Sequence, residues 1–347
     1  MKRTFLKIAL LTATSLAGLI AIESTLGYTL WRKKSGEKSS IAYAAEKIYC
    51  HFNYLKCTVH NSSSGAKIEP HNYLQPDTAT GFSLRPGTYK TTSWNDKLQK
   101  SHSWTATIDP EGRRITSLNP QGNNQKQKVL IFGDSFTWGL ANDDQTSFPF
   151  LLQSRLTKHH VLNYATPGAG NTHALLKLRE LDDKSAKGIS NIILFYGSYY
   201  NVRNIAAPSR MRDFQLRDSG SDAKPFHPKA ILNKGKVKII EQPFDSTSQE
   251  GVDPSITEQA ETTFAILKEA SDIARNLGAR LTIAHHEGPD DDIVIDSLKA
   301  DNFEVIDIRP SRDKLEFDTF EPLDLHPGPK TQNSYARKLA PLLLNNP

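Results

Sequence analysis

The rhythm of apolar positions changes once along the chain, near Lys128. Beyond it, short apolar runs alternate with stretches in which apolar residues recur every three or four positions. The runs are VLIFG (129–133), VLNYA (161–165), NIILFYG (191–197), ARLTIAHH (279–286) and FEVIDI (303–308). Continuous apolar runs of this length predict strands buried on both faces. Helical spacing appears over 148–156, 172–181, 256–277 and 329–344, with an acidic-started helix between the last two strands. Gly278 supplies a C-cap for the long third helix. Five strand signals alternating with helices predict an α/β fold, a parallel sheet covered on both sides. In such sheets a ligand lies beyond the carboxyl ends of the strands. That edge collects Asp134-Ser135, Thr166 to Asn171, Gly197 to Asn201 and His285-His286.

Upstream the pattern differs. Residues 70–127 are rich in Thr, Gly, Pro and Trp, alternate in SWTATID and turn at Pro110-Glu111-Gly112. They predict a small β-rich extension of short strands packed on the main domain, which occupies 128–347. Residues 32–69 read as a polar stem ending in NSSSG, and the polar region 201–254 shows little periodicity. Residues 1–31 start with Lys2, Arg3 and Lys7 and carry an uncharged run from Ala9 to Ile22. Fourteen helical residues reach only roughly 21 Å, but counting from Phe5 to Trp31 makes a membrane span feasible. An uncleaved signal-anchor is therefore preferred to a cleaved signal, since the small residues Ala42 to Ala44 lie too far downstream for cleavage. Cys50 and Cys57, the two cysteines of the chain, follow closely and predict a disulfide in an oxidising compartment. The soluble part is thus expected on the periplasmic or cell-surface side.

Composition narrows the chemistry. A formal charge of +5 over 347 residues is too weak to suggest a nucleic-acid partner. Two cysteines rule out a zinc ribbon. The chain has no G-x-x-x-x-G-K-[ST], H-E-x-x-H, G-x-S-x-G or strand-linked G-x-G-x-x-G.

GDSFTWG (133–139) directly follows the first strand of the alternating region. Ser135 is thereby placed at a strand-to-helix turn, its hydroxyl at the sheet edge and its N–H free to stabilise an oxyanion. LDLHPG (323–328) precedes the last helix and offers His326 as base and Asp324 as its orienting acid. NYATPGAGNT follows the second strand. This combination resembles the SGNH (GDSL-like) hydrolases over residues 128–344, about three-fifths of the chain. The resemblance implies a flavodoxin-like three-layer fold with a five-stranded parallel sheet. It also implies a Ser135–His326–Asp324 triad and an oxyanion hole containing the Ser135 and Gly168 N–H groups. No metal or organic cofactor is called for.

Two departures stand out. The family's last block is usually D-x-x-H, whereas Leu323 lies three before His326; the D-x-H spacing is similar to that of members acting on acylated polysaccharides. Tyr199 occupies the place of the asparagine that donates to the oxyanion, leaving Asn201, Asn204 or the Tyr199 hydroxyl as candidates, with Asn201 preferred. The implied function is a serine esterase acting on an acylated carbohydrate or lipid ester, foremost an O-acetyl ester of an envelope glycan. With a sugar hydroxyl replacing water, the same site is an O-acyltransferase. A glycan-binding module that has lost catalysis is the rival from another class. Among neighbouring residues, Trp138 is expected to stack on a sugar or to cap the core. His285 and His286 are expected to be structural, His159 and His160 to end a helix, and 203–238 to form a solvated loop, with contact to an acidic glycan or a lipid headgroup as the alternative.

Overall fold

The structure is a computed structural model describing residues 64–119, 127–214, 224–311, 316–321 and 323–344. The N-terminal segment and Cys50 and Cys57 lie outside the described residues. Among the described residues no helix is long and apolar enough to cross a membrane.

Five strands form the central parallel sheet: β6 (Gln127–Phe132), β7 (His159–Asn163), β8 (Ile189–Gly197), β11 (Arg280–Glu287) and β12 (Val305–Asp307). Their order is β12-β11-β8-β6-β7, and each neighbouring pair is parallel. Counted within the sheet alone this is the doubly wound order 2-1-3-4-5, whose switch point lies between β6 and β8. The two-residue side-chain period divides each apolar run between two cores. Leu130, Phe132, Ile192, Leu194 and Tyr196 face α3 (Asn171–Arg179), α7 (Ile256–Asn276) and α8 (Ile293–Ala300). Val129, Ile131, Ile193 and Phe195 face α2 (Phe148–Gln153) and α9 (Pro329–Leu344). Burying a side chain of this size contributes about 1.5–3 kcal/mol, which holds both helical layers on the sheet.

The β-rich extension starts earlier than the composition suggests. Strand β1 (Ser64–Glu69) lies inside the segment read as stem and pairs antiparallel with β4 (Gly87–Asn95), which pairs with β5 (Lys100–Ile108). The hairpin β2 (Leu74–Asp77) and β3 (Gly81–Leu84) completes it. The described residues form one compact unit, because Tyr73, Leu84, Tyr89 and Ile108 share a core with Trp138 and Ala165 of the α/β part.

The described residues of 203–238 are not a solvated loop, and the polar region around them is structured. It contains α5 (Tyr200–Asn204), α6 (Pro208–Asp213) and the hairpin of β9 (Phe226–Asn233) and β10 (Lys236–Pro243). Arg210 and His227 within it are buried. His159 and His160 start β7 rather than ending a helix, since the apolar run of that strand extends upstream to pair with Gln127 and Lys128.

Candidate active site

Strand β6 ends in Gly133, and the chain turns at once into a one-turn helix, α1 (Ser135–Trp138). The turn needs glycine: a Cβ at Gly133 would lie 2.0 Å from Thr137 Oγ1. Asp134 caps the helix, its Oδ1 accepting from the Phe136 N–H at 2.9 Å. Ser135 is thereby held at the switch point, 7% exposed.

The opposite side comes from β14 (Asp324–Pro327), which pairs with β13 (Thr319–Phe320). His326 Nε2 lies 2.8 Å from Ser135 Oγ. Its Nδ1 lies 2.5 Å from Asp324 Oδ1, which also accepts the His326 backbone N–H at 2.7 Å. The D-x-H spacing works because the carboxylate folds back onto its own strand in a local turn. Burial pushes the Asp324 carboxyl up, but the imidazole and backbone bonds from His326 outweigh it and leave it below its usual range. Asp318, also near His326 in sequence, instead caps α9 by accepting from the Lys330 and Thr331 N–H groups.

Gly168 follows β7, and the two loops are tied where the Thr166 N–H donates to the Gly133 carbonyl at 3.0 Å. Gly168 has φ +86°, and a Cβ there would strike the Phe214 ring at 2.5 Å. Its N–H has no hydrogen-bond acceptor among the described residues. The Ser135 N–H, at the first position of a helix, has no intrahelical acceptor either. The structure therefore brings Ser135, His326 and Asp324 together, with N–H groups at the ends of neighbouring strands.

Tyr199, which the sequence aligns with an oxyanion asparagine, has a different task. Its hydroxyl donates to Asp134 Oδ2 at 2.8 Å and meets His286 Nε2 at 3.2 Å. Arg203 Nη1 joins at 2.6 Å from the same carboxylate oxygen and at 3.0 Å from the Ala169 carbonyl. Asp134 is fully buried. Burial would raise its carboxyl, but Arg203 and the Tyr199 hydroxyl hold it below the usual range. His286 is driven down to about 4, chiefly by burial, so the ring is neutral. Asn204 is consumed by structure, bonding Thr172, Asn171 and Thr263. Asn201 is half-buried, its Oδ1 3.3 Å from the Tyr196 hydroxyl, which donates to the nearer Asp292 carboxylate at 3.0 Å.

Trp138 cannot stack on a sugar. It is fully buried, with the Tyr73 ring at 5.0 Å and the Arg114 guanidinium 4.6 Å from its own ring. His285 and His286 are buried too. The Arg203, Arg210 and Arg114 roles were absent from the sequence reading. Each lies in a polar stretch without periodicity, and its partners lie 24 to 69 positions away wherever the site is concerned.

No family model and no curated protein matches the chain. Solved structures of a G-D-S-L lipolytic protein and of esterases are similar to it over about three-fifths of its length. A lipolytic protein of the G-D-S-L family from Veillonella parvula is 15% identical, with 63% of this chain and 100% of that one covered and a TM-score of 0.39. A psychrotrophic esterase from Pseudoalteromonas sp. is 13% identical, covering 64% and 100%, with a TM-score of 0.39. A catalytic mutant of an acetylxylan esterase from Geobacillus stearothermophilus is 14% identical, covering 61% and 92%, with a TM-score of 0.36.

Proposed function

We propose that the protein is a serine esterase of the SGNH type. One observation carries the reading: Ser135 Oγ, His326 Nε2 and Nδ1, and Asp324 Oδ1 form a continuous hydrogen-bonded chain at the sheet's switch point. His326 takes the Ser135 proton as Oγ attacks an ester carbonyl, and Asp324 holds the imidazole tautomer and stabilises the imidazolium. The Ser135 and Gly168 N–H groups receive the oxyanion. His326 then returns the proton to the leaving alcohol, and water releases the acyl group from Ser135 by the same steps. Asn201 is the proposed third donor, half-buried in α5, which follows β8 at the same sheet edge.

The proposed substrate is a short acyl ester, acetyl foremost, on an envelope glycan. Phe136 supports a small acyl group, because its ring stands 5.1 Å from that of His326 and narrows the approach to a nearly buried nucleophile. The proposed location is outside the cytoplasm, by an N-terminal anchor. Cys50 and Cys57 are then expected to resist alkylation under denaturing, non-reducing conditions.

Fluorophosphonate labelling of the purified protein tests the nucleophile and separates an esterase from a glycan-binding module. Label is expected on Ser135, with Ser135→Ala losing both label and several orders of magnitude of turnover on acetylated sugars at nearly unchanged Tm. Undiminished turnover in that variant would overturn the assignment.

A further inference from the structure

We propose that Arg210 is an anion subsite beside the oxyanion loop, so that the preferred ester substrate carries a carboxylate or phosphate near the acylated oxygen. The inference rests on the esterase reading of Ser135 and names the substrate class of that site.

Two guanidinium groups flank the Gly168 loop, and only one has a counter-ion. Arg203 is paired with Asp134 at 2.6 Å. Arg210 has no carboxylate within ion-pair distance among the described residues, including Asp213 on its own helix. Yet Arg210 is only 9% exposed, and a guanidinium this deep normally has an anionic partner. Its contacts are all neutral. Nη2 donates to the Gly168 carbonyl at 2.5 Å, and Nε donates to His227 Nε2 at 3.3 Å. Accepting that bond requires His227 to be neutral, and burial, followed by the Arg210 charge, holds its ring well below the ordinary histidine range. The Phe214 ring covers one face, 4.1 Å from the guanidinium carbon.

The remaining nitrogen, Nη1, has no hydrogen bond among the described residues, yet it is not one of the buried atoms left without a partner. The residue as a whole keeps 9% of its surface exposed. The arrangement leaves a positive charge with no direct ion pair among the described residues, Asp213 and Asp134 acting on it only from farther off. It also leaves a donor without a protein hydrogen bond, beside the residue whose N–H is the proposed oxyanion donor. Phe214 and the Gly168 carbonyl fix the guanidinium in place, so an anion there pays little ordering cost and gains a charge-assisted bond in a shielded setting. Neutral esters can use the same hydrolytic groups but leave this charge unmatched.

The test uses three O-acetylated methyl glucosides differing at C6: the neutral sugar, the uronate and the 6-phosphate. Wild-type kcat/KM should favour a charged substrate by about ten- to hundredfold, mostly through KM, and the ratio should shrink with added salt. The larger of the two charged ratios identifies carboxylate or phosphate. In Arg210→Gln the ratio should fall towards one, with Arg210→Lys intermediate, fluorophosphonate labelling of Ser135 reporting that each variant is folded. Wild type offers a measurement independent of any variant: glucuronate or glucose 6-phosphate should inhibit hydrolysis of the neutral ester more strongly than glucose. A wild-type ratio near one, or a preference that survives in Arg210→Gln, overturns the subsite while leaving the esterase intact. Absence of Ser135-dependent turnover on all three substrates overturns the esterase reading itself.

Discussion

Arg114→Met should be among the most damaging substitutions that touch no reacting group. The Arg114 side chain leaves the β-rich extension and is fully buried beneath the nucleophile loop. Nε donates to Asp144 at 2.9 Å, Nη1 to the Trp138 and Gly139 carbonyls at 3.1 and 2.7 Å, and Nη2 to those of Thr105 and Asn142 at 3.2 and 2.6 Å. Methionine fills much of the stem's volume but satisfies none of these acceptors. Asp144 keeps only the bonds from the Thr107 N–H. Removing one partner of a buried pair costs ~3–5 kcal/mol, because the other charge stays buried. With a urea m-value of about 2–3 kcal/mol/M, the midpoint should fall by about 1–2.5 M. Turnover should fall as well: Asn142, on the loop Arg114 braces, donates to the Pro327 carbonyl at 2.8 Å, next to His326. Urea unfolding followed by tryptophan fluorescence measures the first effect. Arg113→Met is the control, since its partners Asp109 and Glu111 are more exposed and surface pairs contribute about 0–1 kcal/mol. The double variant Arg114→Met/Asp144→Leu should recover part of the loss by removing the stranded carboxylate. A loss under ~1 kcal/mol in Arg114→Met would refute the reasoning, showing that the carbonyls find other donors when the guanidinium is gone.

Other outcomes follow from the same geometry. Asp324→Asn keeps the shape beside His326 but favours the wrong tautomer, so turnover should fall by a factor approaching ~10⁴, as in serine-protease triads; a loss below tenfold would mean another group orients the ring. Asn201→Ala should lower kcat by ~10²–10³ with KM little changed if its amide meets the oxyanion, and an unchanged kcat excludes it from that role. Acidification should destabilise the fold: His286 and His173 are pushed down, chiefly by burial, to about 4 and about 3, and His227 lies well below its ordinary value. These rings stay neutral when folded while the unfolded chain binds protons below pH ~6.5, so their contribution is complete above that pH and is lost progressively towards pH 4. Thermal unfolding between pH 7 and 5 should show Tm dropping steadily, and a flat profile would contradict neutral buried histidines.

Much of the architecture was legible in one dimension. Continuous apolar runs identify strands buried on both faces, and all five central strands lie within a few residues of their expected bounds. Local turn chemistry located Ser135, because G-D-S after a strand is a compact signal: a glycine for the tight turn, a cap, then the hydroxyl. The order of blocks likewise singled out Asp324 and His326, the latter brought to Ser135 from 191 positions away. The extension's first strand was missed because Ser64 to Glu69 has polar composition and becomes a strand only by pairing with β4. The region 201–254 failed for a related reason, since its helices are one or two turns long and too short to show a period.

Tertiary structure alone decided what surrounds the triad. Whether Tyr199 serves the oxyanion or Asp134, whether Trp138 meets sugar or Tyr73, and whether an arginine is solvated or buried all depend on which distant segments close over the sheet edge. Arg114, Arg203 and Arg210 look alike in the sequence, as charges in polar stretches. Folding gives the first a carboxylate and four carbonyls, the second a carboxylate, and the third only neutral partners. A side chain's charge is written in the sequence. Its compensation is a property of space, because burial and distance set the electrostatic cost and neither is encoded by neighbours along the chain.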